Sequence, residues 1–168
     1  MSKYIVTQNM DDCIGCRACE VLCKAKNDSG PGAFYCRMIE VTQTMTSLPR
    51  IDFVYLSCFH CEKPWCVDAC PTGAMRRRDQ DGIVFVEESA CVGCKACITA
   101  CPWTVPQWNP DTGKVGKCDL CRDRIDAGLE PACITTCTTG CLSFTTPSAA
   151  SQAARQTFAE HMLRNLRR

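Results

Sequence analysis

The residues able to do chemistry in this sequence are cysteines, 18 of them in a chain of 168, against two histidines. Sixteen fall into four sets: Cys13, Cys16, Cys19 and Cys23; Cys58, Cys61, Cys66 and Cys70; Cys91, Cys94, Cys97 and Cys101; and Cys118, Cys121, Cys133 and Cys137. Every set ends C-x3-C. All but the fourth, with its eleven-residue gap, place a third cysteine soon after a C-x2-C start. Disulfides, zinc thiolates and iron-sulfur ligation all use cysteine at such density.

The chain begins MSKYIVTQNMDDC, with no basic flank and apolar run, no twin arginine and no small-residue cleavage site. It reads as cytoplasmic, a reducing compartment in which dense cysteines mean metal more often than disulfides. No apolar run reaches the roughly 18 residues that cross a bilayer, so no membrane span is expected. Zinc is the plainer metal, since C-x2-C is a zinc spacing and sixteen cysteines fill four sites of four thiolates. Zinc ribbons, however, set two C-x2-C pairs well apart, whereas the first and third sets crowd their remaining thiolates close behind the first pair. That crowding favours [4Fe-4S] cubanes, whose iron corners face several directions. A tight loop supplies three thiolates and the fourth comes from elsewhere, as in two-cluster ferredoxins.

CIGCRACEVLC at Cys13 recurs as CVGCKACITAC at Cys91, offset by 78 residues, and each copy is followed by a looser pattern, so the chain reads as internally duplicated. Gly15 and Gly93 fill the same C-x-G-C slot, where a side chain would keep backbone N–H groups from cluster sulfides. Pro71 and Pro102 follow the last cysteines of sets two and three, as in bacterial ferredoxin runs, while Lys24 and Thr138 stand there in sets one and four.

The elements that must position these loops are short. Strands are expected over residues 3–8, 36–41, 52–57, 83–86 and 142–145, with residues 75–78 and Asp81-Gly82 making a hairpin into 83–86. Turns of helix are expected over 17–27 and 119–127, and loops at 28–32 and 109–113. After Pro147 the cysteines stop. Phe158, Met162 and Leu166 recur every four residues beside Leu163, which predicts an amphipathic helix over 148–168 ending in cationic residues, either packed over its own domain or docking a partner.

The 46% hydrophobic content counts cysteine as apolar, so the conventional core is thin and clusters must serve in its place. The formal charge of +1 treats cysteine as neutral. Four cubanes with their thiolates, at about −2 each, would bring the total to about −7. The 19 lysines and arginines then offset local charge and are no nucleic-acid footprint. Cys36 and Cys141 remain outside the sets as small buried residues, Cys141 aligning with Ala74. Trp65 and Trp103 flank set-two and set-three cysteines, as cluster shields or core aromatics. His60 has no ligand vacancy, His161 is solvated, and Arg76, Arg77 and Arg78 read as a solvated strand edge or a docking patch.

The order and spacing of all four sets, including the gaps before Cys66 and Cys133, resemble the four-cluster iron-sulfur subunits of the DMSO reductase family, over about residues 1–146. The resemblance implies an α+β fold of short strands and helices, with two ferredoxin-like lobes around four [4Fe-4S] clusters. An outer lobe of 1–50 and 110–147 would hold an inserted inner lobe, 51–109. It also implies crossed ligation: Cys13, Cys16, Cys19 and Cys137 for one cluster; Cys118, Cys121, Cys133 and Cys23 for a second; Cys58, Cys61, Cys66 and Cys101 for a third; Cys91, Cys94, Cys97 and Cys70 for a fourth. Many relatives carry Cys-Pro where this chain has Cys137-Thr138, and membrane-linked ones add a transmembrane helix.

The expected function is therefore a non-catalytic relay. Single electrons would pass between a catalytic molybdenum or tungsten oxidoreductase subunit, of formate, aldehyde or aromatic-thioester type, and an FAD/NAD-binding flavoprotein or ferredoxin. A relay with clusters near two surfaces can also join copies of itself. The competing reading is a zinc-stabilised interaction or nucleic-acid-binding module, which the unremarkable pI of 7.3 does not support. A third, a self-sufficient iron-sulfur enzyme, needs an open iron site that no set offers.

Overall fold

In a computed structural model, residues 3–44 and 49–166 are described. Their backbone follows the duplication of the sequence. In the first half come strand β1 (Ile5–Gln8), a 3-10 turn (Met10–Asp12), helix α1 (Ala18–Asn27), and the hairpin of β2 (Arg37–Gln43) and β3 (Arg50–Leu56). Helix α2 (Trp65–Asp68) and β4 (Met75–Arg77) then lead into the second half. There β5 (Val84–Val86), a 3-10 turn (Glu88–Ala90), α3 (Ala96–Ala100) and the hairpin of β6 (Gln107–Asn109) and β7 (Lys114–Gly116) repeat the order. Helices α4 (Arg122–Asp126) and α5 (Ala132–Thr135), strand β8 (Leu142–Thr145) and helix α6 (Pro147–Leu166) complete the chain.

Four two-stranded antiparallel sheets result among the described residues. The strand ahead of the first cysteine run pairs with the strand after the last, Ile5 opposite Thr145 and Gln8 opposite Leu142. The strand ahead of the third run pairs with the one after the second, Met75 opposite Val86. One ladder thus closes around the chain that carries the other. The turn between β4 and β5 is made by Asp81, whose carboxylate accepts the Ile83 N–H at 3.1 Å, and by Gly82 in the left-handed region.

Five expected strands form, shifted by one or two residues at their ends. The hairpin β6–β7 is an addition to the sequence expectation; its strands are three residues long, too short for alternation to show, and its turn at 109–113 reads from sequence simply as a loop. Strand β3, which the sequence reading places at the head of an inner lobe, pairs along its length with β2. Its Phe53 and Tyr55 pack with Cys19, Met38, Cys133, Cys141 and Leu142. A second core gathers Met75, Val84, Cys97 and Val115, with Cys66, Cys70, Cys91 and Trp108 against it. Seven of the seventeen buried apolar residues among those described are cysteines, so packing depends on what the sulfurs hold.

Ion pairs join elements remote in sequence. Lys26 of α1 meets Asp123 of α4 at 2.8 Å. Arg78 pairs with Asp81 in its own hairpin and with Asp126 of α4 at 2.8 Å, its side chain only 15% exposed. Of the three arginines read as a solvated edge or docking patch, Arg78 is thus internal. Helix α6 forms where expected but buries no residue, and Phe158, Met162, Leu163 and Leu166 are exposed. It therefore does not pack over the domain. Its expected cationic end at Arg167 and Arg168, like Met1 and Ser2 of the chain start, lies outside the described residues.

Candidate metal centres

The run from Cys13 to Cys19 turns sharply because Gly15 (φ 67°) and Arg17 (φ 60°) are both left-handed, and Gly93 (φ 68°) and Lys95 (φ 65°) repeat this in the third set. Left-handed residues two apart curl the chain so that successive N–H groups face one concavity, a nest for negative charge. Space also requires the glycines. A Cβ on Gly15 would run into the Phe53 ring, and one on Gly93 into the Gly113 carbonyl and the Trp108 ring. Helix α1 begins at Ala18 and carries Cys19 and Cys23 inward, and α3 does the same for Cys97.

Three cavities among the described residues are each lined by four or five cysteines. Around the first stand Cys58, Cys61, Cys66 and Cys101, with Phe59, Trp103 and Lys117. The second brings together Cys23, Cys118, Cys121 and Cys133, with Cys36 and Tyr55. The third has Cys13, Cys16, Cys19 and Cys137, with Cys141 and Met38. Each draws its cysteines from segments distant in sequence. Of the four that remain, Cys70 and Cys91 pack at the core of Cys97, and Cys70, Cys91 and Cys94 all act electrostatically on it.

Such cavities fit a cubane better than zinc. Four sulfurs on a zinc ion converge to about 2.3 Å from it, and among the described residues no three His, Cys, Asp or Glu are grouped to hold a single ion. Burial pushes the Cys19 thiol up to about 12 and those of Cys66, Cys97 and Cys133 up to about 11. At neutral pH these become thiolates when a metal displaces the proton.

Hydrogen bonds reach the sulfurs from several sides. The Tyr55 hydroxyl donates to Cys133 Sγ at 3.3 Å, Asn27 Nδ2 to Cys23 Sγ at 3.5 Å, and the backbone N–H groups of His60 and Met75 to Cys58 and Cys70 at 3.4 Å. Thr138, standing where sets two and three have Pro71 and Pro102, places Oγ1 3.6 Å from Cys16 Sγ. The Ala18 N–H first and then this hydroxyl hold the Cys16 thiol below its ordinary value. Tyr55 and Thr138 carry no motif signal in the sequence, because strand pairing and a loop far along the chain bring them to these sulfurs.

Cys36 and Cys141 are buried as expected, at 3% and 5% exposure, and the Cys141 carbonyl accepts the Asn9 N–H as that of Ala74 accepts the Glu87 N–H. Cys141 Sγ lies 3.4 Å from Cys137 Sγ, and Cys36 Sγ points at the Cys19 carbonyl at 3.5 Å. Trp65 and Trp103 are more than half exposed, so neither is a core aromatic. Trp103 meets Phe59 edge-on at 5.0 Å beside the first cavity. His60 is buried, and its Nδ1 accepts the Val84 N–H at 2.9 Å while Nε2 has no protein partner. Burial, then the nearby Lys117 charge, hold its imidazole well below the usual range. No helix among the described residues is long and apolar enough to cross a membrane.

A family model described as a 4Fe-4S dicluster domain matches residues 49–146, and one described as a 4Fe-4S binding domain matches residues 10–26. The chain is 43% identical to the thiosulfate reductase electron transfer subunit PhsB of Salmonella typhi, over 85% of this chain and 76% of that protein. It is 39% identical to the B subunit of the anaerobic dimethyl sulfoxide reductase of Escherichia coli, over 79% and 68%. Against the iron-sulfur subunit of the nitrate-inducible formate dehydrogenase of Escherichia coli it is 34% identical, over 90% and 57%. The matched cysteine loops and the extent of this similarity place the chain in the family of [4Fe-4S] electron-transfer subunits of DMSO reductase-type oxidoreductases, whose members are the non-catalytic partners in those complexes.

Proposed function

We propose that this chain holds four [4Fe-4S] clusters and relays single electrons between a catalytic molybdenum or tungsten oxidoreductase subunit and a second carrier, a flavoprotein or ferredoxin. The observation that carries this reading is the set of three cavities, each lined by four or five cysteines from distant segments. Cys13, Cys16, Cys19 and Cys137 hold one cluster, Cys23, Cys118, Cys121 and Cys133 another, and Cys58, Cys61, Cys66 and Cys101 a third. Cys70, Cys91, Cys94 and Cys97 hold the fourth. Bound there, each cluster supplies a one-electron couple. The protein's residues fix spacing, keep water from the sulfurs and aim hydrogen bonds at them.

The same reading divides the chain into two ferredoxin-like lobes, the inner inserted in the outer, with β3 counted by its packing in the outer one. The nested ladders β1·β8 and β4·β5 and the two cores support it. The catalytic partner is a reductase of sulfur oxyanions or sulfoxides, as the names of the thiosulfate and dimethyl sulfoxide reductase relatives suggest, or a dehydrogenase of formate, aldehyde or thioester type. The compartment is the cytoplasm, where thiols stay reduced for cluster assembly.

Anaerobic purification with metal analysis tests the cofactor count: about 16 iron per chain is expected, and about 4 zinc with little iron would refute it. The pairing is tested by Cys13→Ala, Cys137→Ala and the double variant. Each loses the same one cluster, and the double variant loses no second one. Loss of two clusters in the double variant would break the pairing. Co-purification of a larger subunit bearing molybdenum or tungsten identifies the catalytic partner.

A further inference from the structure

Lys117 is the one buried lysine among the described residues, 4% exposed, and it immediately precedes the fourth cysteine set. Its ammonium donates to the Val84 carbonyl on the edge of β5 and to the Cys118 carbonyl at 2.6 Å. His60 takes the Val84 N–H from the same strand edge, so the two side chains close that edge as a neighbouring strand would. An ammonium has three N–H donors. Lys24 spends its three on the carbonyls of Ser29, Gly30 and Ala33, whereas Lys117 has two protein acceptors. It makes no ion pair among the described residues, although Glu87, Glu88 and Asp119 line an adjoining cleft.

Lys117 also lines the cavity of Cys58, Cys61, Cys66 and Cys101. Through the Cys118 carbonyl the same ammonium reaches a residue that lines the next cavity. The two cavities adjoin here, since Lys117 lines one and the next residue, Cys118, lines the other. A buried cation without a carboxylate is costly unless something negative lies beside it. Thiolate-ligated clusters, each about −2 when oxidised, are the negative groups that the proposed ligand sets would supply.

We propose, on the cluster reading above, that Lys117 is a tuning residue shared by two clusters: it directs its remaining N–H at the one held by Cys58, Cys61, Cys66 and Cys101, and its charge lies against the Cys118 side of the other. One-electron reduction adds a negative charge to each assembly, and a fixed cation in a low-dielectric site stabilises the reduced form. Lys117 therefore holds these two midpoint potentials above the values the same loops would otherwise give. Its place at the junction makes the two clusters adjoining favourable stops for the electron.

The test uses the full chain, reconstituted anaerobically, analysed for iron, and titrated with dithionite under EPR. In Lys117→Met two of the four midpoints shift to lower potential and two stay, while Lys117→Arg, which keeps the charge, leaves all four near their original values. If no midpoint moves in Lys117→Met with iron intact, or if all four move together, the proposal is overturned. Should Lys117→Met fail to take up iron, pulsed EPR on chain labelled with 15N-lysine decides. A lysine nitrogen coupling to a reduced cluster that disappears in Lys117→Arg supports the proposal, and no such coupling in the unmodified chain overturns it. Zinc in place of iron in the unmodified chain would instead sink the underlying cluster reading, before any potential is measured.

Discussion

A hydrogen bond to a ligating sulfur stabilises the reduced cluster more than the oxidised one, because reduction adds charge that the sulfurs share. Tyr55 makes such a bond to Cys133, and burial holds its hydroxyl pKa well above the ordinary value, so it remains a donor at working pH. Tyr55→Phe removes the hydroxyl and keeps the ring. It should lower one midpoint by tens of millivolts, the equivalent of a hydrogen bond of about 0.5–1.5 kcal/mol, in an EPR-monitored titration. Cys36 and Cys141 border cluster cavities that already have four other cysteines each. Cys36→Ala and Cys141→Ala should keep the full iron content, with about 1 kcal/mol lost in denaturant unfolding. A missing cluster in either variant would make that cysteine a ligand.

Elements so short depend on their links. Hairpin β4–β5 is tied to α4 through Arg78, which bonds Asp81 and Asp126. Burial raises the Asp81 carboxyl pKa, but the Arg78 guanidinium and the Ile83 N–H outweigh it and leave the value below the usual one. A depressed carboxylate pKa gives stability that is present above the unfolded value and lost as pH falls through the folded one. Acid should therefore weaken this link below about pH 4, and Asp81→Asn should cost about 1–3 kcal/mol at neutral pH while flattening that part of the pH profile. Urea unfolding between pH 3 and 7 measures both. The hairpin and its turn were legible in the sequence because Asp81-Gly82 directly precedes the apolar run Ile83 to Val86. The pairing of Arg78 with Asp126 was not, because an arginine run looks the same whether it faces solvent or the carboxylate of a helix some 48 residues on.

At the scale of the whole molecule, the mass of the fold lies in two cores built partly of cysteine, and α6 contributes nothing to either. Deleting residues 147–168 should leave iron content unchanged and move the melting temperature by no more than about 2 °C, since no buried apolar surface is lost. A larger drop in calorimetry would show that the helix supports the domain. The sequence by itself determined that sixteen cysteines fall into four sets of ligand spacing, where the duplication falls and where most strands lie. Spacing within a loop suffices for that, because a cubane's corners demand thiolates a few residues apart. Only the tertiary structure decided what surrounds each set. Bringing Cys137 to the cavity of Cys13, Tyr55 to Cys133, and Lys117 to the junction of two cavities depends on antiparallel pairing between distant strands and on burial. No local pattern of residue types encodes those contacts.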